Sequence, residues 1–185
     1  MEVRKEDTFE CVIHLVENGY KPVALDFASG SNPGGSWRSK QQGTQEESIC
    51  RRSDLGLLLE KKKYPIPMDG LIYLPIVTIN KNLKMENIKP IKCAIIASEL
   101  KAIAMYTPSK LQARIKALYD TAIENNHDAI VLGAWGCGAF KETDDDVHIL
   151  ARHIKICAEA YQDKIKTVCA VIGKTNYTAF LQASN

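Results

Sequence analysis

The chain has 185 residues, of which 45% are hydrophobic and 25% charged, and its formal net charge is +2. That length supports one domain with a real core and leaves little for a second, while the near balance of charge excludes a polyanion-binding stripe built on charge alone. No apolar run approaches the ~20 residues of a membrane-spanning helix, and residues 1–20 lack the basic-then-apolar order of a signal peptide.

A first helix is expected where Phe9, Val12, Ile13 and Val16 recur at helical spacing, with Asp7 placed to cap it, Glu10 three residues on and Gly19 to stop it. Residues 21–28 read as a short buried strand and 29–43 as a Gly/Ser/Asn/Pro-rich loop. Thr44 opens a second helix, expected to continue through residue 60. Apolar, β-branched runs at 71–78 and 91–97 have the length of strands. Residues 108–125 form the clearest helix, with Leu111, Ile115, Leu118 and Ala122 on one face. A buried strand over 128–133 runs into a glycine-rich turn. A helix over 144–161, a strand over 167–172 and a short terminal helix complete the chain. Strands alternate with helices, and several strands are apolar throughout. The pattern is that of an α/β sandwich whose mostly parallel central sheet is covered on both faces. No repeat or linker divides it, so residues 1–185 are read as a single domain.

The six cysteines include no CxxC pair, and Cys50, Cys93, Cys157 and Cys169 fall within apolar or helical runs. Buried free thiols in a reducing compartment are expected, which places the chain in the cytoplasm, or in the nucleus of a eukaryotic or viral host. The acidic run Asp144, Asp145, Asp146 reads as a helix start and His148 and His153 as its solvated face, so no metal is expected.

Two loops carry unusual chemistry at the position where ligands sit in such folds, beyond the carboxyl ends of strands. One runs Asp26-Phe27-Ala28-Ser29-Gly30-Ser31-Asn32-Pro33-Gly34-Gly35-Ser36 and leads to Gly43-Thr44-Gln45-Glu46-Glu47; the other is Gly133-Ala134-Trp135-Gly136-Cys137-Gly138-Ala139-Phe140. Small residues let backbone N–H groups approach an anion, and two such loops on one crevice would suit a diphosphate flanked by two sugars. Each also has a plain structural account. Asn-Pro-Gly-Gly is a strong turn signal, and a lone Gly136-x-Gly138 is a weak dinucleotide fingerprint whose third glycine would fall on Lys141. Thr44-x-x-Glu47 is a capping box, which alone would explain Glu47.

Taken together, these two loops and Gln45-Glu46-Glu47-Ser48 resemble the microbial poly(ADP-ribose) glycohydrolase (PARG) family, a branch of the macrodomain fold. The resemblance implies a macrodomain-like three-layer α/β/α sandwich with a mixed, mostly parallel central sheet. It implies ADP-ribose as ligand, its diphosphate and distal ribose clasped by the backbone at Gly34, Gly35, Gly136, Cys137 and Gly138. Ser36, Gln45 and Ala139 lie within the same motifs and are carried over as ligand-binding positions. Asn32 would hydrogen-bond the ribose next to the scissile bond, and Phe140 would pack on it. Glu46 would orient substrate hydroxyls, and Glu47 would be the acid/base. Asp26 ends the first strand, where either an adenine contact or a structural role is open.

The activity so implied is cleavage of the O-glycosidic bond of poly(ADP-ribose) or a related ADP-ribosyl linkage, releasing ADP-ribose without a cofactor. Such a reaction passes through an oxocarbenium-like state, which needs an acid for the departing oxygen and then a base for water. One carboxyl can do both if its pKa is raised, as a neighbouring Glu46 and an anionic ligand would favour. The expected partners are ADP-ribose, ADP-ribosylated protein or poly(ADP-ribose), with nucleic acid only if ADP-ribosylated, no membrane, and a monomeric protein. The competing readings are a macrodomain that binds ADP-ribose without cleaving it, and a nicotinamide-dinucleotide oxidoreductase resting on Gly136-x-Gly138 alone. Ser36 where the family has a third glycine, and Lys141-Glu142-Thr143 after Phe140, depart from the family pattern.

Overall fold

The computed structural model describes residues 1–40, 43–138 and 142–185. Among these residues one sheet holds β1 (Glu2–Arg4), β2 (Pro22–Phe27), β3 (Ile72–Lys81), β4 (Asn87–Ser98), β5 (Ala129–Leu132) and β6 (Lys166–Ala170). The order is β1-β6-β5-β2-β4-β3, and every neighbouring pair is parallel except β3 with β4. Helices α1 (Thr8–Glu17), α2 (Gln45–Arg51) and α3 (Leu55–Leu59) cover one face. Helices α4 (Pro108–Glu124), α5 (Asp145–Ala160) and α6 (Lys174–Ser184) cover the other. This is the expected three-layer sandwich with a mixed, mostly parallel sheet.

Successive strand residues point to opposite faces, so alternation divides the core in two. Val23 and Leu25 of β2 pack with Ile130 and Leu132 under α4–α6, while Ala24 packs with Val131 and Ala97 under α1–α3. Asp26 shares the parity of Ala24 and is fully buried, on the α1–α3 side. Asp7 caps α1 as expected, its carboxylate accepting the Phe9 and Glu10 N–H groups at 2.9 and 3.3 Å. The six cysteines are free and buried. Among the described residues no helix is long and apolar enough to cross a membrane.

Three departures from the expected elements have local causes. The helix expected over 44–60 is broken into α2 and α3, because the chain leaves the helical path at Arg52–Asp54 to pair with β3. Arg52 O accepts the Asn80 and Lys81 N–H groups at 2.9 and 3.1 Å, and Asp54 Oδ1 accepts the Thr78 N–H at 2.7 Å. The strands expected over 71–78 and 91–97 are the inner parts of a longer antiparallel hairpin, whose polar outer half hid its extent. The three-residue β1, too short to show a period, adds a parallel edge beside β6. β6 itself ends at Ala170, and Ile172 beyond it is 66% exposed.

Candidate active site

The carboxyl ends of β2, β4 and β5 deliver both singled-out loops to the same side of the sheet. The first folds back over α2 and is tied there from several directions. Arg51 Nε donates to Trp37 O at 2.9 Å, Glu99 Oε1 accepts the Gly30 N–H at 3.0 Å, and Gly30 O accepts the Ile66 N–H at 2.8 Å. Gln45 pins the start of α2 to the end of β2. Its Oε1 accepts the Phe27 N–H at 2.9 Å, and its Nε2 donates to Leu25 O at 2.8 Å and Thr8 Oγ1 at 3.2 Å. The side chain of Gln45 thus serves backbone groups that β5, already diverging, no longer reaches.

Glu46 and Glu47 lie under the bend of this loop, both buried. Glu46 Oε2 accepts the Ser29 N–H at 2.8 Å, and the Gly34 N–H also points at this carboxylate. Glu47 Oε1 accepts the Ser36 N–H at 3.0 Å and hydroxyl at 3.3 Å. Its Oε2 accepts the Thr44 N–H at 2.7 Å and hydroxyl at 2.9 Å. The return half of the capping box is therefore present, shared with a contact to the glycine-rich loop. Gly35 stands at φ +59°, and a Cβ there would lie 2.2 Å from Glu47 Oε1 and 3.0 Å from Glu46 Oε2. The glycine is needed because two carboxylates abut it.

These contacts revise the expected use of the first loop. The Gly34 and Ser36 N–H groups are directed to protein carboxylates, and the Gly35 N–H donates to Asn32 O at 2.9 Å. Asn32 is exposed in the turn. Strand parity turns Asp26 under the α1–α3 layer, where it is fully buried, and leaves Phe27 to face the cleft. Among the described residues no hydrogen-bond donor meets either Asp26 oxygen or Glu46 Oε1.

The electrostatics also differ from expectation. Burial first, then the charge of Glu47, pushes Asp26 well above the ordinary carboxylate range. Burial first, then the charge of Asp26, raises Glu46 against the pull of the Ser29 and Gly34 N–H groups. Glu47 goes the other way: burial raises it, but the hydrogen bonds from Ser36 and Thr44 outweigh this and hold it below the usual glutamate value. The shift expected on Glu47 falls instead on its neighbour. Of the pair, Glu46 is the one whose surroundings favour the protonated form and Glu47 the one whose hydrogen bonds favour the carboxylate.

The second loop is anchored through Trp135, which is buried and whose indole N–H donates to Ser98 O at 2.8 Å. Arg114, buried 5.4 Å from the Trp135 ring, donates to Ser98 Oγ at 2.8 Å and Glu99 O at 2.7 Å, closing the end of β4 beneath it. Neither Arg114 nor Ser98 belongs to a motif, so sequence pattern gave no sign of this support. Beside this loop opens a cleft of about 660 Å³, within the range of nucleotide-sized sites. Phe27, Thr44, Gln45, Cys137 and Gly138 line one end. A Cβ on Gly138 would meet nothing within 4 Å, so this glycine faces open space. A smaller hollow of about 70 Å³ continues past Gly136 and Trp135. Of the expected ligand positions, Gln45, Gly136, Cys137 and Gly138 therefore line these cavities, whereas Asn32, Gly34, Gly35, Ser36 and both glutamates do not. Ala139 and Phe140 lie outside the described residues.

Residues 1–79 match the family model of the microbial-type PARG catalytic domain. That stretch contains the first loop, Glu46 and Glu47. No curated protein sequence matches the chain. PARG from Deinococcus radiodurans, in complex with ADP-ribose, is 28% identical with a TM-score of 0.84, over 98% of this chain and 82% of that one. PARG from Thermomonospora curvata gives 25% identity and a TM-score of 0.83, over 98% of this chain and 75% of that one. The same enzyme bound to the inhibitor ADP-HPD gives 24% identity and a TM-score of 0.80, over 98% and 77%. By sequence over residues 1–79 and by structure over 98% of its length, the chain resembles the microbial-type PARG catalytic domain, as its two loops implied.

Proposed function

We propose that this protein is an ADP-ribose glycohydrolase that cleaves the O-glycosidic bond of poly(ADP-ribose) or a related ADP-ribosyl linkage, with Glu47 as acid/base. The observation that carries this reading is the pair of adjacent buried carboxyls, tied by hydrogen bonds to the glycine-rich loop and shifted in opposite directions, beside a nucleotide-sized cleft. Carboxyls whose environments separate their proton affinities are what acid/base chemistry at one carbon requires. A glutamate that merely capped α2 would gain nothing from a buried, protonated neighbour.

Glu47 begins as a carboxylate. A diphosphate bound nearby raises its proton affinity, and Glu46 holds a proton next to it. Glu47 takes up a proton from solvent as its affinity rises and passes it to the departing oxygen; as a carboxylate again it removes a proton from the water that attacks the anomeric carbon, which returns it to the protonated form. Gly136, Cys137 and Gly138, with Ala139 and Phe140 completing their loop, hold the diphosphate and the ribose. Asn32, Gly34, Gly35 and Ser36 shape the roof over the carboxylates. Structural likeness to a PARG that binds ADP-ribose supports this assignment.

A second reading, a macrodomain that binds ADP-ribose without cleaving it, draws support from the contacts between Glu47 and Thr44, which are those of a capping box. Glu47→Gln separates the two. Free ADP-ribose is followed from protein carrying poly(ADP-ribose) and from protein carrying single ADP-ribose units. Wild type is expected to release it and the variant to fall by about 10³-fold, with ADP-ribose affinity changed by less than about threefold. Binding without release by wild type would make this a reader whose Glu47 caps a helix.

A further inference from the structure

We propose that Leu83 and Met85, at the tip of the β3–β4 hairpin, form the wall of the cleft that packs against the purine base of the ligand. This deepens the function proposed above and rests on it. The cleft lined by Thr44 and Gly138 is also lined by these two side chains. They are 57% and 46% exposed, and neither belongs to either core of the fold.

The tip is built to hold them in place. Asn82 Oδ1 accepts the Lys84 and Glu86 N–H groups, both at 3.0 Å, and Asn82 Nδ2 donates to Glu86 Oε2 at 2.7 Å. The Met85 N–H donates to Asn82 O at 3.0 Å. The last residues of β3 before the tip, Asn80 and Lys81, are fastened to the end of α2 through Arg52 O. Within this turn Met85 adopts φ +63°, a left-handed conformation that costs a non-glycine residue on the order of 1 kcal/mol. Such strain persists where surrounding structure over-determines it, and it gathers at ligand clamps. Asn or Gly would fill the turn at lower cost, and the polar neighbours Asn82, Lys84 and Glu86 show that it is otherwise a solvated one. Two apolar side chains held by a strained turn at the mouth of a cleft are accounted for if an apolar surface covers them.

ADP-ribose has one such surface. Its riboses and phosphates are polar throughout, and its base alone offers flat apolar faces. With the base at Leu83 and Met85, the diphosphate lies toward Thr44 and Gly138. The flexible thioether of Met85 suits it to an aromatic face.

The test is calorimetric titration of the full chain and of Leu83→Ser/Met85→Ser with ADP-ribose and with AMP, which carries the base but not the second ribose. Both ligands are expected to lose about tenfold in affinity, by similar factors, from the apolar contact removed, with the thermal midpoint unchanged. Should the double variant be unstable, Met85→Gly relieves the left-handed strain and removes the same side chain. Wild-type affinity for ADP-ribose in the variants overturns the proposal, and so does a loss confined to ADP-ribose. If wild type binds AMP but not ADP-ribose, the proposed function fails, while loss of AMP binding in the variant still supports the wall.

Discussion

The two faces of the sheet obey the same alternation rule and are put to different uses. Under α4–α6 the buried polar groups stand apart from one another, each with its own partners: Tyr119 Oη lies 2.9 Å from Thr167 Oγ1, Arg114 donates to Glu99 O at the end of β4, and Asp146 accepts the Glu142 and Thr143 N–H groups. Under α1–α3 the same sheet buries Asp26, Glu46, Glu47 and Arg52. Burying a charge is costly unless it is paired or hydrogen-bonded, so the second face, where Asp26, Glu46 and Glu47 lie together and three of their oxygens lack a donor among the described residues, gives up more stability than the first. What it gains is a set of carboxyls with altered proton affinities at the carboxyl end of the central strand. In the function proposed above, the first face holds the fold and the second carries the chemistry.

The largest expected effect tests whether the charged face is stable only because its charges are matched. Arg52 is 1% exposed, its Nη1 lies 2.5 Å from Asp7 Oδ1 and its Nη2 3.0 Å from Glu10 Oε1, and it joins α1 to the end of β3 at Lys81 O. Arg52→Ala leaves Asp7 buried without its cation and is expected to cost about 3–5 kcal/mol in urea unfolding. A loss below about 1 kcal/mol would show that this face tolerates bare charge, and the contrast between the faces would lapse.

Much of this division was legible in the residues. Asp7, the spacing of Phe9 to Val16, the all-apolar 129–132 run and the two loops gave the layers and the end of the sheet that bears the site. What escaped sequence was decided by contacts distant along the chain. The break between α2 and α3 depends on hydrogen bonds from Thr78, Asn80 and Lys81, which no periodicity in 44–60 encodes. The protonation of the glutamate pair depends on whether Asp26 points up or down from β2. Parity against Val23 and Leu25 could have shown that direction, had β2 been aligned with its neighbours. That Gly35 leaves room for two carboxylates, and Gly34 for Trp37 and Cys50, is invisible in a motif, because an anion-binding loop demands the same residue.

A smaller effect is expected where the charged face meets the loop. Gly35→Ala adds a methyl group only 2.2 Å from Glu47 Oε1, at φ +59°. The loop must lift or Glu47 must turn, and misplacement of a catalytic group by about 1 Å costs on the order of 10² in rate. ADP-ribose release is expected to fall by about that factor, measured alongside ADP-ribose affinity. Because the cleft is lined from the second loop, affinity should fall much less than turnover. Equal losses in both would return the first loop to the ligand-binding role that its sequence implied.

The smallest effect isolates electrostatics from packing. Asp26 and Glu46 have raised carboxyls in the fold, so the stability they allow is full below the ordinary carboxylate range, near pH ~4, and is lost as pH climbs toward their raised values. Glu47, held low, runs in the opposite sense and loses its contribution as pH falls below the glutamate range. Asp26→Asn keeps the shape and removes one raised acid. Thermal midpoints of wild type and variant between pH 5 and pH 9 should therefore diverge, with the variant gaining about 2–4 °C on wild type across that range. The alkaline limb of the rate profile should move to lower pH, since Glu46 loses the negative neighbour that helps it keep its proton. Parallel melting curves with an unmoved rate profile would mean that Asp26 never takes up charge in this range. The charged face would then differ from the apolar one in its packing rather than in its titration.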